Sequence, residues 1–158
     1  VINTGMRLSE AVGLSKDDLF LSSDTPHLRV IPQPWRRLKT SSSERLIPLV
    51  GASLWAAQRA SEASESHFVF PKYCNEKKAS SNSSSAALNK WLQCNINSEI
   101  VIHSLRHAMR DRLRNLECPV DIIDAIGGWC RGTIGDGYGL GYSLAVKHKW
   151  LSLSESIS

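Results

Sequence analysis

The sequence lacks the features that mark several classes of protein. No apolar run in its 158 residues approaches the roughly 18 that a membrane-spanning helix needs, and no stretch resembles a signal peptide. The four cysteines are never closer than 12 positions, so no C-x-x-C unit is present for zinc or redox chemistry. These absences argue against a membrane span and a C-x-x-C centre, and they favour a cytoplasmic protein with reduced, mostly buried thiols.

Composition and charge fit one globular domain that is mildly basic. Apolar residues make up 42% of the chain, and a chain of 158 residues can bury a core without stabilising disulfides or metal ions. No internal repeat is found. The formal net charge is +4 and the isoelectric point lies near 9.0. Such a charge permits a polyanionic partner without demonstrating one.

The first third of the chain predicts a short helix followed by a small β-sheet. Residues 4–14 read as a helix, with Thr4 as a candidate N-cap and Gly13 as the stop. Three strand-like runs follow at residues 19–21, 27–31 and 45–50, separated by turn-rich stretches. We expect these runs to pair as a small antiparallel meander.

Most of the remaining chain has the periodicity of helices. Residues 51–65 are a helix candidate, and residues 143–153 predict a short amphipathic helix near the C-terminus. The serine-rich residues 79–85 between them predict a flexible loop. Helices and loops therefore follow the small sheet.

Three further helical segments are predicted between that loop and the C-terminal helix, the first from Ala86 onward with Leu88, Trp91 and Leu92 on one stripe. Apolar residues recur at steps of four, four and three, the spacing of one buried helix face, at Leu105, Met109, Leu113 and Leu116. Pro119 suits the first position of the next helix, which Gly127 and Gly128 would end. The predicted fold class is α+β and mainly helical, with a small three-stranded antiparallel sheet near the N-terminus.

Six residues have side chains suited to a phosphate group, although each has an ordinary structural explanation when taken alone. They are Arg7, Lys39, His103, Arg106, Trp129 and Tyr138. A single arginine or lysine is usually solvated, an H-x-x-R spacing is frequent by chance, and a lone tryptophan or tyrosine usually packs in a core or turn. The argument therefore depends on their order and their local sequences.

Those local sequences resemble the catalytic domain of the tyrosine recombinases of the phage-integrase type. The matching boxes are Thr4-Gly5-Met6-Arg7-Leu8-Ser9-Glu10, Lys39-Thr40 followed by Glu44-Arg45-Leu46-Ile47-Pro48-Leu49, His103-Ser104-Leu105-Arg106-His107, and Gly127-Gly128-Trp129 with Tyr138 nine positions on. The resemblance runs from residue 4 to about residue 150. Five boxes in the right order make it specific, although no single box would.

The resemblance implies an enzyme that cuts and rejoins DNA through a covalent 3′-phosphotyrosine. Tyr138 would be the nucleophile, with Tyr142 as the rival. Arg7 and Arg106 would clamp the two non-bridging phosphate oxygens, because guanidinium forks suit phosphate geometry. His103 would accept or orient the phenol proton.

Two more residues complete the implied site. Lys39 would protonate the departing 5′-oxygen. Trp129 stands where many relatives have histidine, and it can only donate through its indole N–H, which puts an acid–base role there in doubt. Glu10 would hold an arginine in place. The resemblance implies no cofactor and no metal, because these donors supply the positive charge, and no ATP, because the phosphotyrosine stores the bond energy.

The resemblance also implies a domain organisation and partners. Residues 1–158 would be a catalytic domain truncated at its N-terminus, without the core-binding domain or the first catalytic helix, and residues 143–158 a helical tail. Apolar surface near Met6, Ala11 and Val12 would then be less covered than in the intact enzyme. The expected partner is double-stranded DNA, with a homotetramer of the full-length protein on DNA and a monomer or weak dimer of this chain. The source would be a bacterium or phage, and the place of action DNA in the cytoplasm.

Several alternatives stay open on the sequence alone. A type IB topoisomerase shares the nucleophile chemistry but lacks the sequence motifs found here at residues 4–10 and 127–129. A DNA-binding module without catalysis is the other alternative. The apolar tail would either pack into a neighbouring protomer or fold back on its own domain. The target DNA sequence cannot be read from these motifs.

Overall fold

The chain begins with a short helix that leads into a three-stranded antiparallel sheet. The computed structural model describes residues 1–40, 43–129 and 141–156. Helix α1 spans Leu8–Val12, and one 3₁₀ turn follows at Lys16–Asp18. Strands β1 (Leu19–Phe20), β2 (His27–Val30) and β3 (Arg45–Pro48) then pair in the order β1-β2-β3. The predicted meander is confirmed.

The sheet turns one apolar face toward the core. Leu28 pairs with Leu19 on one side and with Ile47 on the other. Leu28, Val30 and Ile47 are buried, because side chains two positions apart on a strand share a face. β3 is an edge strand of this sheet, and the last two helices of the described residues contact it.

Five further helices and a small hairpin complete the described chain. They are α2 (Gly51–Ala63), β4 (Cys74–Asn75), β5 (Lys78–Ala79), α3 (Ser81–Asn95), α4 (Ser104–Asn115), α5 (Val120–Gly127) and α6 (Leu144–Glu155). The fold class, α+β and mainly helical, is confirmed. Within the described ranges no helix is both long enough and apolar enough to cross a membrane.

The helices after α3 pack through the apolar faces that their spacing predicts. Met109 and Leu113 of α4 and Ile123 and Ile126 of α5 are fully buried in one core with the sheet. Gly128 ends α5 in the left-handed conformation, with φ +65°. The core therefore fixes where α4 begins and where α5 ends, and the polar candidates lie at those two points.

Helix α6 folds back on its own domain. Leu151 is fully buried in the common core, and the Lys147 amino group donates to the Leu46 carbonyl of β3 at 3.1 Å. Near the end of the helix, Asn3 Nδ2 donates to Glu155 Oε1 at 2.6 Å. Of the two alternatives for the C-terminal segment, the single chain therefore adopts the one within its own domain.

The predicted start of the first helix is wrong. Helix α1 begins at Leu8, with Arg7 as its N-cap, and Thr4 lies in the preceding turn. Gly5 adopts φ +59°, a left-handed conformation that interrupts a helix. Because of this turn, Arg7 stands at the beginning of α1 and not within it.

The serine-rich loop is also a wrong prediction. Residues 81–85 form the first turns of α3, and Ser84 is buried with its Oγ donating to the Ser81 carbonyl at 2.9 Å. Serine favours turns because its hydroxyl competes for main-chain groups, but the same hydroxyl can bond inside a helix that packing already holds. Composition alone did not reveal that packing.

The apolar residues near α1 are covered within this chain. Met6 and Val12 are buried, and Ala11 is half-buried against the core, because α3 packs on α1.

The prediction of mostly buried thiols holds for two of the three described cysteines: Cys74 and Cys118 are free and buried, whereas Cys94 is free and exposed. Cys130 lies outside the described residues.

Candidate active site

Arg7 is held at the start of α1 by Glu10 and by two groups from distant parts of the chain. Its main-chain N–H donates to Glu10 Oε2 at 2.9 Å, and its Nη1 donates to Glu10 Oε1 at 2.8 Å. Nη1 also donates to Ser43 Oγ at 3.1 Å, and Nη2 donates to the Gly128 carbonyl at 3.2 Å. The side chain stays 23% exposed, so the guanidinium is oriented and still accessible.

Arg106 is held more deeply, at the first turn of α4. It is 2% exposed, and its Nη1 donates to the Gly5 carbonyl while its Nη2 donates to the Gly127 carbonyl at 2.7 Å. Burial first, and then the charge of Arg7, lower its pKa to about 10. The group therefore stays a cation at neutral pH, in the electric field of the second arginine.

The two arginines converge on one turn of the main chain. Arg7 donates to the carbonyl of Gly128, and Arg106 donates to the carbonyl of the residue before it, Gly127. These side chains come from segments 99 positions apart in the sequence. The fold thus brings two of the predicted site residues together around the end of α5.

His103 lies beside this pair as the N-cap of α4. Its side chain is exposed, and its ring meets the ring of His107 edge-on with centroids 4.9 Å apart. Partial desolvation, and then the charges of His107, Arg106 and Arg7, lower the pKa of His103 below its ordinary value. The imidazole is therefore neutral at pH 7 and able to accept a proton.

Trp129 packs on the arginines. The guanidinium carbon of Arg106 lies 4.3 Å from the ring centroid, and that of Arg110 lies 4.8 Å from it. A Cβ on Gly127 would collide with the indole ring, so glycine is required there. The contacts found for Trp129 thus fix Arg106 by cation–π attraction.

Lys39 lies apart from the other described candidates. It is exposed in a bend, and among the described residues it forms no hydrogen bond or ion pair. The bend itself reaches the site through Ser43, whose N–H donates to the Thr40 carbonyl at 3.1 Å and whose Oγ accepts from Arg7. The structure therefore does not bring Lys39 to the arginines, although it connects its loop to them.

The candidate nucleophile Tyr138 lies outside the described residues. Its rival Tyr142 is described, in an extended stretch just before α6, and is 39% exposed. No described contact connects Tyr142 with the arginines. The choice between the two tyrosines therefore stays a prediction.

The sequence analysis missed Arg45 as part of this site. Arg45 is buried on β3, and its Nη2 donates to Glu10 Oε2 at 2.9 Å. Burial opposes the ionisation of Glu10, but the bonds from Arg45 and Arg7 outweigh it and lower the pKa of Glu10. One signal was available: Arg45 and Ile47 alternate on β3 and share the inward face, where an arginine needs a carboxylate.

Two converging guanidinium groups beside a neutral imidazole form a cationic site of the kind that binds a phosphate group. The chain belongs to the phage integrase family, whose sequence model matches residues 1–138. No curated protein matches the chain. The family assignment therefore rests on the sequence model and agrees with the fold.

Solved structures of a transposon integrase share the fold. The Tn1549 transposon integrase in complex with circular intermediate DNA has a TM-score of 0.60 and 18% identity over 99% of this chain. The same integrase in complex with transposon right end DNA has a TM-score of 0.57 and 18% identity over 85% of this chain. This chain spans 57% and 53% of those two chains.

Proposed function

We propose that the chain is the catalytic domain of a site-specific tyrosine recombinase that breaks and rejoins DNA strands. The observation that carries the proposal is the convergence of Arg7 and Arg106 on consecutive carbonyls, with His103 beside them. Membership of the phage integrase family supports it and favours recombination over topoisomerase activity. Residues 1–158 would form this domain, with residues 143–158 as its tail, and further parts of the protein would grip the DNA.

The two arginines would neutralise a phosphodiester during attack. A phosphodiester repels nucleophiles, and its transition state places more charge on the phosphoryl oxygens. Arg7 has exposed surface, and Arg106, with a pKa of about 10, stays a cation at neutral pH. Such preorganised donors need no metal and no other cofactor to stabilise the developing charge.

Tyr138 would attack the phosphorus and form a 3′-phosphotyrosine, releasing a 5′-hydroxyl. A phenol has an ordinary pKa near 10, so it needs an acceptor for its proton at neutral pH. His103 suits that role, since partial desolvation, and then the neighbouring charges, lower its pKa. Tyr142 remains the alternative nucleophile.

Lys39 and Trp129 would have the remaining roles. Lys39 would donate a proton to the departing 5′-oxygen after its exposed loop moves toward bound DNA. Trp129 would hold Arg106 through its ring and donate its indole N–H to a phosphate oxygen. Neither role requires ATP, because the phosphotyrosine keeps the energy of the broken bond for rejoining.

Double-stranded DNA is the proposed partner. The integrase structures that share this fold were solved in complex with DNA, and the +4 net charge of this chain suits a polyanion. Exchange of two duplexes needs four cut strands, so the full-length protein would act as a homotetramer. This chain alone would be a monomer or weak dimer that binds DNA poorly.

Covalent capture on nicked DNA tests the proposal. A pool of nicked suicide duplexes, randomised around the nick, would be incubated with the chain and with full-length protein, and resolved under denaturing conditions. We expect an adduct whose tyrosine-linked nucleotide maps by mass spectrometry to Tyr138. Binding without an adduct would favour the non-catalytic alternative. Joining of two separate captured duplexes would then distinguish a recombinase from a topoisomerase.

A further inference from the structure

Arg45 is a buried arginine whose three nitrogen atoms each bond to a different segment of the site. Its Nε donates to the Ile126 carbonyl at 2.7 Å, its Nη1 to the Ser43 carbonyl at 2.6 Å, and its Nη2 to Glu10 Oε2 at 2.9 Å. Its side chain is only 3% exposed. It therefore touches no solvent-borne substrate directly, yet it joins β3, α1 and the end of α5.

The bond to Glu10 determines how much charge Arg7 presents to solvent. Glu10 Oε2 accepts from both the Arg7 main chain and Arg45, while Oε1 accepts from the Arg7 side chain. Two guanidinium groups, those of Arg7 and Arg45, thus share one carboxylate. Without Arg45, Glu10 would be paired with Arg7 alone, and the positive charge on the exposed side of Arg7 would be partly cancelled.

The guanidinium of Arg45 also lies directly against the Gly127–Gly128 turn. A Cβ on Gly128, which has φ +65°, would lie 2.7 Å from Arg45 Nη1. The carbonyl of Gly128 accepts from Arg7, and that of Gly127 accepts from Arg106. The guanidinium of Arg45 therefore helps to fix the position of this turn, to which Arg7 and Arg106 both donate hydrogen bonds.

A lysine cannot reproduce these contacts. A guanidinium places its donors in a fixed planar fork, whereas an ammonium is a compact point charge on a flexible stem. The planar group allows the close approach of Gly128 and bonds in three directions at once. Replacement by lysine would keep the charge and lose the orientation.

We propose that Arg45 is a positioning residue of this site, which orients Arg7 through Glu10 and supports the Gly127–Gly128 turn that orients Arg106. The inference rests on the proposed function for its catalytic consequence. Its structural part, control of an anion site by Arg45, can be tested without any DNA reaction. The structural part of the inference and the proposed function can therefore be refuted separately.

The test compares Arg45→Lys and Arg45→Met with Arg36→Lys as the matched control. Arg36 is also buried and paired with a carboxylate, 3.1 Å from Asp18, but its only bond to Glu10 goes to the main-chain carbonyl at 3.5 Å. The first measurement is thermal unfolding of the chain with inorganic phosphate added at constant ionic strength. The second is the single-turnover rate of covalent capture by full-length protein at saturating nicked duplex.

We expect phosphate to raise the Tm of the unmodified chain and of Arg36→Lys, and to have little effect on Arg45→Lys. Capture by Arg45→Lys should fall about 10²-fold, as for a small misplacement of a catalytic group, and capture by Arg45→Met should fall further because the charge is also lost. Gly128→Ala, which pushes against the same guanidinium, should act in the same direction.

Each outcome decides the matter. If Arg45→Lys keeps the phosphate-dependent rise in Tm, or if Arg36→Lys loses it equally, Arg45 is merely structural and the inference is overturned. If Arg45→Lys does not fold, Gly128→Ala decides: an unchanged phosphate response in that variant overturns the inference. If the unmodified protein binds phosphate but never forms an adduct, the proposed function fails while the role of Arg45 stands or falls on the Tm data.

Discussion

Replacing the two clamping arginines with alanine should have similar effects on cleavage and different effects on stability. Arg106 is buried and satisfies the buried carbonyls of Gly5 and Gly127, whereas Arg7 is 23% exposed and shares its carboxylate with Arg45. Removing Arg106 leaves two carbonyls without a partner, at about 1–3 kcal/mol each. Removing Arg7 leaves Glu10 paired with Arg45, so the cost to stability is smaller.

The expected magnitudes follow from those contacts. We expect Arg106→Ala to destabilise the chain by about 3 kcal/mol, since water entering the vacated space offsets part of the loss. That corresponds to a fall in Tm of about 6–12 °C for a domain of this size. Arg7→Ala should cost about 1 kcal/mol. Both variants should lower covalent capture on the order of 10²–10³-fold, as when one preorganised donor is removed.

Two assays on the same samples separate these effects. Thermal unfolding gives the stability difference, and single-turnover capture on nicked duplex, at a temperature where every variant is folded, gives the rate. Arg114→Ala is the control, because Arg114 lies on the same helix but is exposed and paired only with Asp111 at 3.3 Å. Capture by either clamp variant within a few-fold of the unmodified rate would refute the clamp. If Arg7→Ala and Arg106→Ala destabilised the chain equally, the greater structural role given to the buried Arg106 would be refuted.

Four further expectations follow from the site. Tyr138→Phe should abolish capture and leave DNA binding nearly unchanged, whereas Tyr142→Phe should retain capture; the reverse result would exchange their roles. Lys39→Ala should be rescued by a substrate whose 5′ leaving group is sulfur, and a lysine that only contacts phosphate would show no rescue and a flatter salt dependence. Because the pKa of His103 is lowered, capture should persist below pH 6.5 and be lost only as pH falls through that lower value, and His103→Gln should remove this acid limb. Deleting residues 144–158 removes the fully buried Leu151, so cleavage and recombination should fall together, whereas selective loss of recombination would indicate coupling between protomers.

Regular elements were predicted where periodicity was strong. The meander and the helices α2, α4, α5 and α6 follow from alternation and from i, i+3 and i+4 spacing, and Met109 and Leu113 are buried as that spacing requires. The errors fall where tertiary packing overrides a local preference. Residues 81–85 become helical because α3 packs on α1, and Gly5 delays the first helix by turning the chain.

The sequence indicated candidate site residues but not their hydrogen-bond partners. Arg7, His103 and Arg106 stand out by the order of their boxes, and the fold brings them together. The sequence could not indicate that both arginines would bond to the Gly127–Gly128 turn, because that contact depends on how α1, α4 and α5 pack. Lys39 is exposed and forms no described contact with the arginines.

Arg45 shows how a functional arginine can escape a search for exposed charged residues. Burying a guanidinium is unfavourable unless a carboxylate and hydrogen-bond acceptors surround it, so an arginine on the inward face of a strand implies partners elsewhere in the chain. Here the partner is Glu10, three positions after Arg7, and burial lowers the pKa of Arg45 while the Glu10 carboxylate raises it. An inward arginine on one strand and an acidic residue beside an arginine motif are both visible in the sequence. Together they predict a buried pair behind the exposed cation, and therefore a site whose charge is controlled from within the core.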